Sequence, residues 1–145
     1  MTVLHDTPPV SRFRIPAADA AVPQARRAVG EIAGSWGLDP RHDLAYTLRL
    51  VVTELVTNAV RHAGVCSPAI DVVVCLTRDG WLQVGVHDRH PFRPKALLEV
   101  VDHDSGRGLL IVKHLVGECG GRSGIEPDED AGGKTVWIAL PMPPP

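Results

Sequence analysis

The hydrophobic positions along this chain recur with two periods, one typical of helices and one typical of strands. Helical spacing covers residues 22–36, 40–62 and 108–118, where apolar residues return every three or four positions. Gly37 provides a stop for the first segment, and the pair Gly120 and Gly121 ends the third. Asp39 as a cap and Pro40 as a first helical residue favour a start for the second. The pattern therefore predicts three helices, the second being the longest.

Alternating apolar positions predict strands between these helices. Residues 12–15 alternate apolar residues with arginine and are predicted to form an edge strand. Residues 70–76 and 82–88 alternate on either side of Arg-Asp-Gly, which indicates a β-hairpin, and two further strands are predicted at residues 122–125 and 136–140. The whole predicts an α+β fold, a two-layer sandwich whose mixed, mostly antiparallel sheet carries helices on one face.

Length, charge and cysteine content limit the classes of function. A chain of 145 residues suits one domain, and a net charge of -2 without a long basic run argues against nucleic acid as a partner. Apolar runs are too short to span a membrane and no signal peptide is recognisable, so a cytoplasmic location is expected. Three cysteines without Cys-x-x-Cys spacing indicate neither a disulfide framework nor a zinc site. We expect a domain at residues 11–141 between flexible ends at 1–10 and 142–145.

Four polar residues form a stripe on the long second helix. Glu54 and Asn58 are four residues apart and therefore point the same way, and Arg61 and His62 extend the stripe by one turn. One interpretation is the solvated face of an amphipathic helix. The other is a site in which a carboxylate and an amide act together, and spacing alone leaves both open.

Two other positions depart from the pattern around them. Asp88 falls on the apolar side of its strand, where a carboxylate needs a partner: either backbone amides at a strand-end turn or an exocyclic amine such as that of adenine. The sequence Gly-Arg-Gly at residues 106–108 opens the third helix and suits either an ordinary turn or a phosphate site. The acidic and histidine-rich stretches at 87–90 and 102–104 lack metal-site spacing and are interpreted as solvated loops.

Taken in chain order, these motifs resemble the GHKL or Bergerat ATP-binding fold. Residues 54–62, Glu-Leu-Val-Thr-Asn-Ala-Val-Arg-His, resemble its N box, and Asp88 falls where the G1-box aspartate is expected. Residues 106–109, Gly-Arg-Gly-Leu, resemble the G2 box, and residues 133–136, Gly-Lys-Thr-Val, resemble the final threonine-bearing strand. The resemblance covers residues 12–140 and is strongest to the anti-sigma-factor serine/threonine kinases of the RsbW and SpoIIAB type.

The resemblance implies a role for each matching residue. Asn58 would coordinate Mg²⁺ at the phosphates of ATP, and Glu54 would act as the general base. Asp88 would accept the adenine amino group with support from Thr135. The remaining nucleotide-binding positions, beneath a lid formed by residues 89–107, would be His62, Gly106, Arg107, Gly108 and Leu109.

The resemblance also implies a function. Such a protein uses ATP and Mg²⁺ to phosphorylate an anti-anti-sigma partner of STAS fold, binds a sigma factor, and is expected to form a homodimer. One departure stands out, because Asp88 is followed by Arg-His-Pro-Phe without the glycines of the family's G1 box. That departure favours an alternative, a non-catalytic, nucleotide-responsive regulator that acts by binding its partner. A third hypothesis is a plain ATPase.

Overall fold

The computed structural model describes residues 8–63, 68–89, 107–130 and 132–144. Three helices and five strands lie in these ranges, in the order β1 (Val10–Pro16), α1 (Ala21–Ser35), α2 (Asp43–Ala63), β2 (Ala69–Leu76), β3 (Trp81–Asp88), α3 (Arg107–Glu118), β4 (Arg122–Pro127) and β5 (Lys134–Pro141). The predicted α+β class is confirmed. None of the helices in these ranges combines the length and apolar character needed to cross a bilayer.

The five strands form one sheet in the order β1-β2-β3-β5-β4. Every neighbouring pair is antiparallel, so the sheet is antiparallel throughout and not the mixed, mostly antiparallel sheet that the sequence pattern predicted. Alternate residues of the three central strands are buried beneath the helices: Ile70, Val72, Val74, Leu82, Val84, Val86, Val136, Ile138 and Leu140. The other face of the sheet is not covered by a helix among the described elements and carries half-buried and exposed side chains.

The long helix begins three residues later than the sequence pattern predicts. Asp39 does not cap it, because its Oδ1 accepts a hydrogen bond from the backbone amide of Arg41 at 2.9 Å and closes a separate turn. The cap is His42, whose Nδ1 accepts from the amide of Leu44 at 2.9 Å, so α2 begins at Asp43. Asp and Asn are the usual residues in this role, and the short Asp39 turn explains why His42 takes it instead.

Glycines end two of the elements that the sequence pattern predicts. Gly80 has a φ of 84° in the β2–β3 hairpin, and Gly120 has a φ of 75° after α3. Beyond Gly120, the amide of Gly121 donates to the carbonyl of Val116 at 2.8 Å and satisfies one of the last helical acceptors. A side chain is disfavoured at positive φ, so both turns depend on glycine.

Candidate functional site

The carboxylate of Glu54 lies against the first turn of α3. A Cβ atom added to Gly108, the second residue of that helix, would overlap Oε2 of Glu54 and lie 3.3 Å from its Cδ. Glycine at position 108 is therefore what allows the carboxylate to lie there. The first amides of a helix lack intrahelical acceptors and carry partial positive charge, so this is the end of α3 that favours an anion. The structure thus brings together two of the predicted motifs, which are 54 positions apart in the sequence.

The polar stripe on α2 does not lie in solvent along its whole length. Asn58, one turn after Glu54, is buried with 9% of its surface exposed. Arg61 is exposed, while Glu54 and His62 are half-buried. In the described ranges, no buried side-chain nitrogen or oxygen lacks a hydrogen-bond partner. The interpretation of a solvated helix face therefore fits Arg61 but not Asn58.

Asp88 is buried as the strand pattern predicts, with 1% of its surface exposed, but its partner is a lysine. Nζ of Lys134 donates to Oδ1 at 2.9 Å and to Oδ2 at 3.0 Å. The two residues are direct cross-strand neighbours on β3 and β5, and Lys134 has no exposed surface. Burying two charges is costly, and this contact offsets the cost by joining both carboxylate oxygens to the ammonium group.

Lys134 was not among the predicted site residues, although the strand alternation that identified Asp88 also applies to it. Lys134 shares the apolar alternation of Val136, Ile138 and Leu140, and therefore falls on the core face of β5. When one strand carries an acidic residue on its core face and a neighbouring strand carries a basic residue on the same face, a buried ion pair is predicted. The pairing of β3 with β5 was not recognised from the sequence.

Thr135 lies on the opposite face of the sheet from Asp88. It is the cross-strand neighbour of His87, and a Cβ atom added to Gly85 would meet its Cγ2 at 3.0 Å on the face without helices. The expectation that Thr135 supports the contact of Asp88 with adenine is therefore corrected, because successive residues of a strand point to opposite faces. The residue beside the Asp88 carboxylate is Lys134.

Leu109 also has a different place from the one expected. It is buried in the core with 1% of its surface exposed, so its side chain anchors α3 to the sheet rather than facing a ligand. Gly106 and the predicted lid residues 90–106 lie outside the described residues. Arg107 is described as the first residue of α3, and its side chain lies outside the description.

His87 belongs to a row of ionisable groups on the helix-free face, not to a solvated loop. Its Nε2 is 2.9 Å from Oδ2 of Asp128, and its Nδ1 is 3.9 Å from Oδ2 of Asp71. Nε of Arg14 donates to Oδ1 of Asp71 at 2.8 Å, where the contact raises the pKa of the guanidinium. The row extends to Arg89, 3.8 Å from Asp128. The sheet therefore separates this row from Glu54, Asn58 and Asp88.

The residues fit one end of a nucleotide and not the other. A carboxylate and an amide on α2 are oxygen donors of the kind that Mg²⁺ prefers, and the N-terminus of α3 suits phosphate. At the other end, both oxygens of Asp88 already accept hydrogen bonds from Lys134. In this arrangement the carboxylate is 1% exposed and already paired with an ammonium group, which disfavours its use as an acceptor for an adenine amino group.

Comparison with known families identifies the class of the domain. Residues 15–140 match the family described as "Histidine kinase-like ATPase domain", which is nearly the whole chain. The chain belongs to that family, and the resemblance of its motifs to the GHKL fold is confirmed. The comparison with curated proteins gives no match.

Several solved structures have a similar fold. The structure of the RsbU and RsbW domains of Rv1364c from Mycobacterium tuberculosis has 23% identity and a TM-score of 0.67, over 92% of this chain and 32% of that one. Full-length ShkA in complex with AMPPNP has 22% identity and a TM-score of 0.59, over 89% and 31%. The SiaB–SiaC complex from Pseudomonas aeruginosa has 14% identity and a TM-score of 0.61, over 90% and 88%. This chain spans about a third of the first two.

Proposed function

We propose that this protein is an ATP-dependent regulatory kinase of the anti-sigma type, which phosphorylates a serine or threonine of a STAS-fold partner and also binds a sigma factor. The observation that carries the proposal is the contact of the Glu54 carboxylate with the first turn of α3 at Gly108. A carboxylate beside a helix N-terminus places a proton acceptor next to amides suited to phosphate. The proposal includes a cytoplasmic location and a homodimer.

Each residue has a defined part in this proposal. The first turn of α3 would bind the phosphates, and Asn58 would supply an oxygen ligand to Mg²⁺, which neutralises phosphate charge during phosphoryl transfer. Glu54 would orient the acceptor hydroxyl and accept its proton. The similar structures of an RsbW domain and of the SiaB–SiaC complex support a protein as the acceptor.

Replacing Glu54 by Gln tests the proposed base. The amide keeps the shape of the carboxylate beside Gly108 but cannot accept the proton, and loss of a general base lowers rates by roughly 10²–10⁴-fold. The measurement is transfer of label from γ-labelled ATP to a purified STAS-domain protein, and titration calorimetry shows whether the variant still binds ATP. Arg61→Gln, an exposed change of similar size on the same helix, is the control and should transfer label like the parent. Equal transfer by Glu54→Gln and the parent would exclude Glu54 as the base.

A second candidate function is a regulator that binds nucleotide without catalysis and acts by holding its partner. The buried contact between Asp88 and Lys134 favours this function, because it occupies the carboxylate expected to recognise adenine. Such a protein would bind its partner with an affinity that depends on nucleotide, and no STAS-domain protein would become labelled. Partner affinity measured with and without ATP therefore separates the two functions.

A further inference from the structure

Lys134 pairs with the Asp88 carboxylate, the group that would recognise a base, and the pair is enclosed in the protein. Its ammonium group donates to both carboxylate oxygens, and the side chains of both residues have only 1% of their surface exposed. Attraction between opposite charges adds to these two hydrogen bonds, whereas a neutral donor to the same carboxylate lacks that charge–charge attraction. The neutral amino group of adenine is therefore a weaker donor to Asp88 than the ammonium group already in place.

Lys134 is also enclosed where it lies beside Asp88. The residue is fully buried at the start of β5, and its backbone is fixed by pairing with Asp88 on one side and with Pro127 of β4 on the other. Gly133, just before it, would bring a Cβ atom within 2.5 Å of the carbonyl oxygen of Asp88, so the strands are in close contact here. Release of the carboxylate would leave two buried charges without each other, which is strongly unfavourable.

We infer that Lys134 determines the base specificity of the site by preventing Asp88 from distinguishing an amino group from a carbonyl group on the purine. This inference rests on the proposed binding of a nucleoside triphosphate. The protein then binds ATP and inosine triphosphate, which carries a carbonyl oxygen in place of the adenine amino group, with similar affinity. Replacement of Lys134 by a short polar residue makes the Asp88 carboxylate available to the base and creates a preference for ATP over inosine triphosphate.

The experiment compares ATP with inosine triphosphate by titration calorimetry in the presence of Mg²⁺. We expect the parent to bind both with affinities within about threefold, because the Asp88 carboxylate is already engaged by Lys134. Lys134→Thr should favour ATP by at least about tenfold, because a site that hydrogen-bonds a substrate group rejects the analogue that lacks it. Ile138→Val, a mild change at a buried residue on the same face of β5, should keep the ratio of the parent.

The outcomes separate failure of this inference from failure of the proposed function. A carboxylate that is free to recognise the base is expected to favour ATP over inosine triphosphate by about tenfold or more. If the parent shows such a preference, the inference is overturned while the proposed function stands. An unchanged ratio in folded Lys134→Thr does the same. If Lys134→Thr does not fold, the ratio of the parent protein decides the question without it. Failure of the parent and of the folded variant to bind either nucleotide overturns the proposed function, and the inference with it.

Discussion

Replacing Gly108 by Ala should separate stability from activity. The new Cβ atom would overlap Oε2 of Glu54, the far end of a flexible side chain, and would approach no backbone atom within 4 Å among its three nearest neighbours. The carboxylate can therefore turn aside, at a rotamer cost of about 0.5–1.5 kcal/mol. Alanine in a helix is favoured over glycine by about 0.5–1 kcal/mol. The two effects nearly cancel, so the free energy of unfolding should change by less than about 1 kcal/mol.

The same substitution should nearly abolish the proposed phosphoryl transfer. To regain ordinary contact distance from the new methyl group, the Glu54 carboxylate has to move by roughly 1 Å, and a displacement of that size costs about 10²-fold in rate. This corresponds to about 2.7 kcal/mol of activation free energy. Gly117→Ala is the matched control, since it lies on the same helix and its Cβ atom would meet nothing within 4 Å. That variant should be as active as the parent and up to about 1 kcal/mol more stable.

Urea unfolding followed by circular dichroism measures the stability, and label transfer from ATP measures the activity. Two results would refute the reasoning. A loss of several kcal/mol in Gly108→Ala would mean that Glu54 cannot turn aside, and full activity would mean that the position of its carboxylate does not matter for transfer.

Two further predictions concern stability. Lys134→Met should lower the free energy of unfolding by about 3–5 kcal/mol, because it leaves the buried Asp88 carboxylate without its partner. The double variant that also carries Asp88→Asn should recover much of this loss in the same urea assay. In the β2–β3 hairpin, a hydrogen bond from the Thr77 hydroxyl lowers the pKa of Asp79 below its ordinary value of 3.8. The stabilisation from that contact should be complete above the ordinary pKa of Asp79 and disappear as the pH falls through the lowered pKa of the folded protein. Asp79→Asn should therefore flatten the acid side of a plot of unfolding free energy against pH. An unchanged plot would exclude the contact as a source of the pH dependence.

The elements of the fold follow from periodicity because each faces one common core. The burial of Asp88 was predictable for the same reason, since a strand's alternation fixes which face every residue takes. The start of α2 was not predictable in detail, because Asp39 and His42 both offer side-chain acceptors and only the local turn decides between them. Motif resemblance assigned Glu54 and Gly108 to one nucleotide site, whereas their contact emerged only from the structure, because no local pattern shows that α2 and α3 meet there.

The limits at the base end of the site have a different origin. Thr135 and Lys134 are adjacent in the sequence but on opposite faces of β5, so a motif that names both residues does not say which of them contacts Asp88. Alternation alone selects Lys134 once β5 is placed beside β3. Strand order depends on contacts between distant parts of the chain, and for that reason the ion pair emerged only from the structure.

The tight contact at Gly133 links two parts of the molecule mechanically. Its α-carbon faces the carbonyl of Asp88 and the Cα of Arg89, so closely that even a methyl group would not fit. A side chain at position 133 would therefore push the backbone of Asp88 and Arg89 away from the start of β5. Because Gly133 is covalently joined to Lys134, the absence of a side chain at position 133 is also what lets the lysine approach the end of β3 closely enough to pair with Asp88.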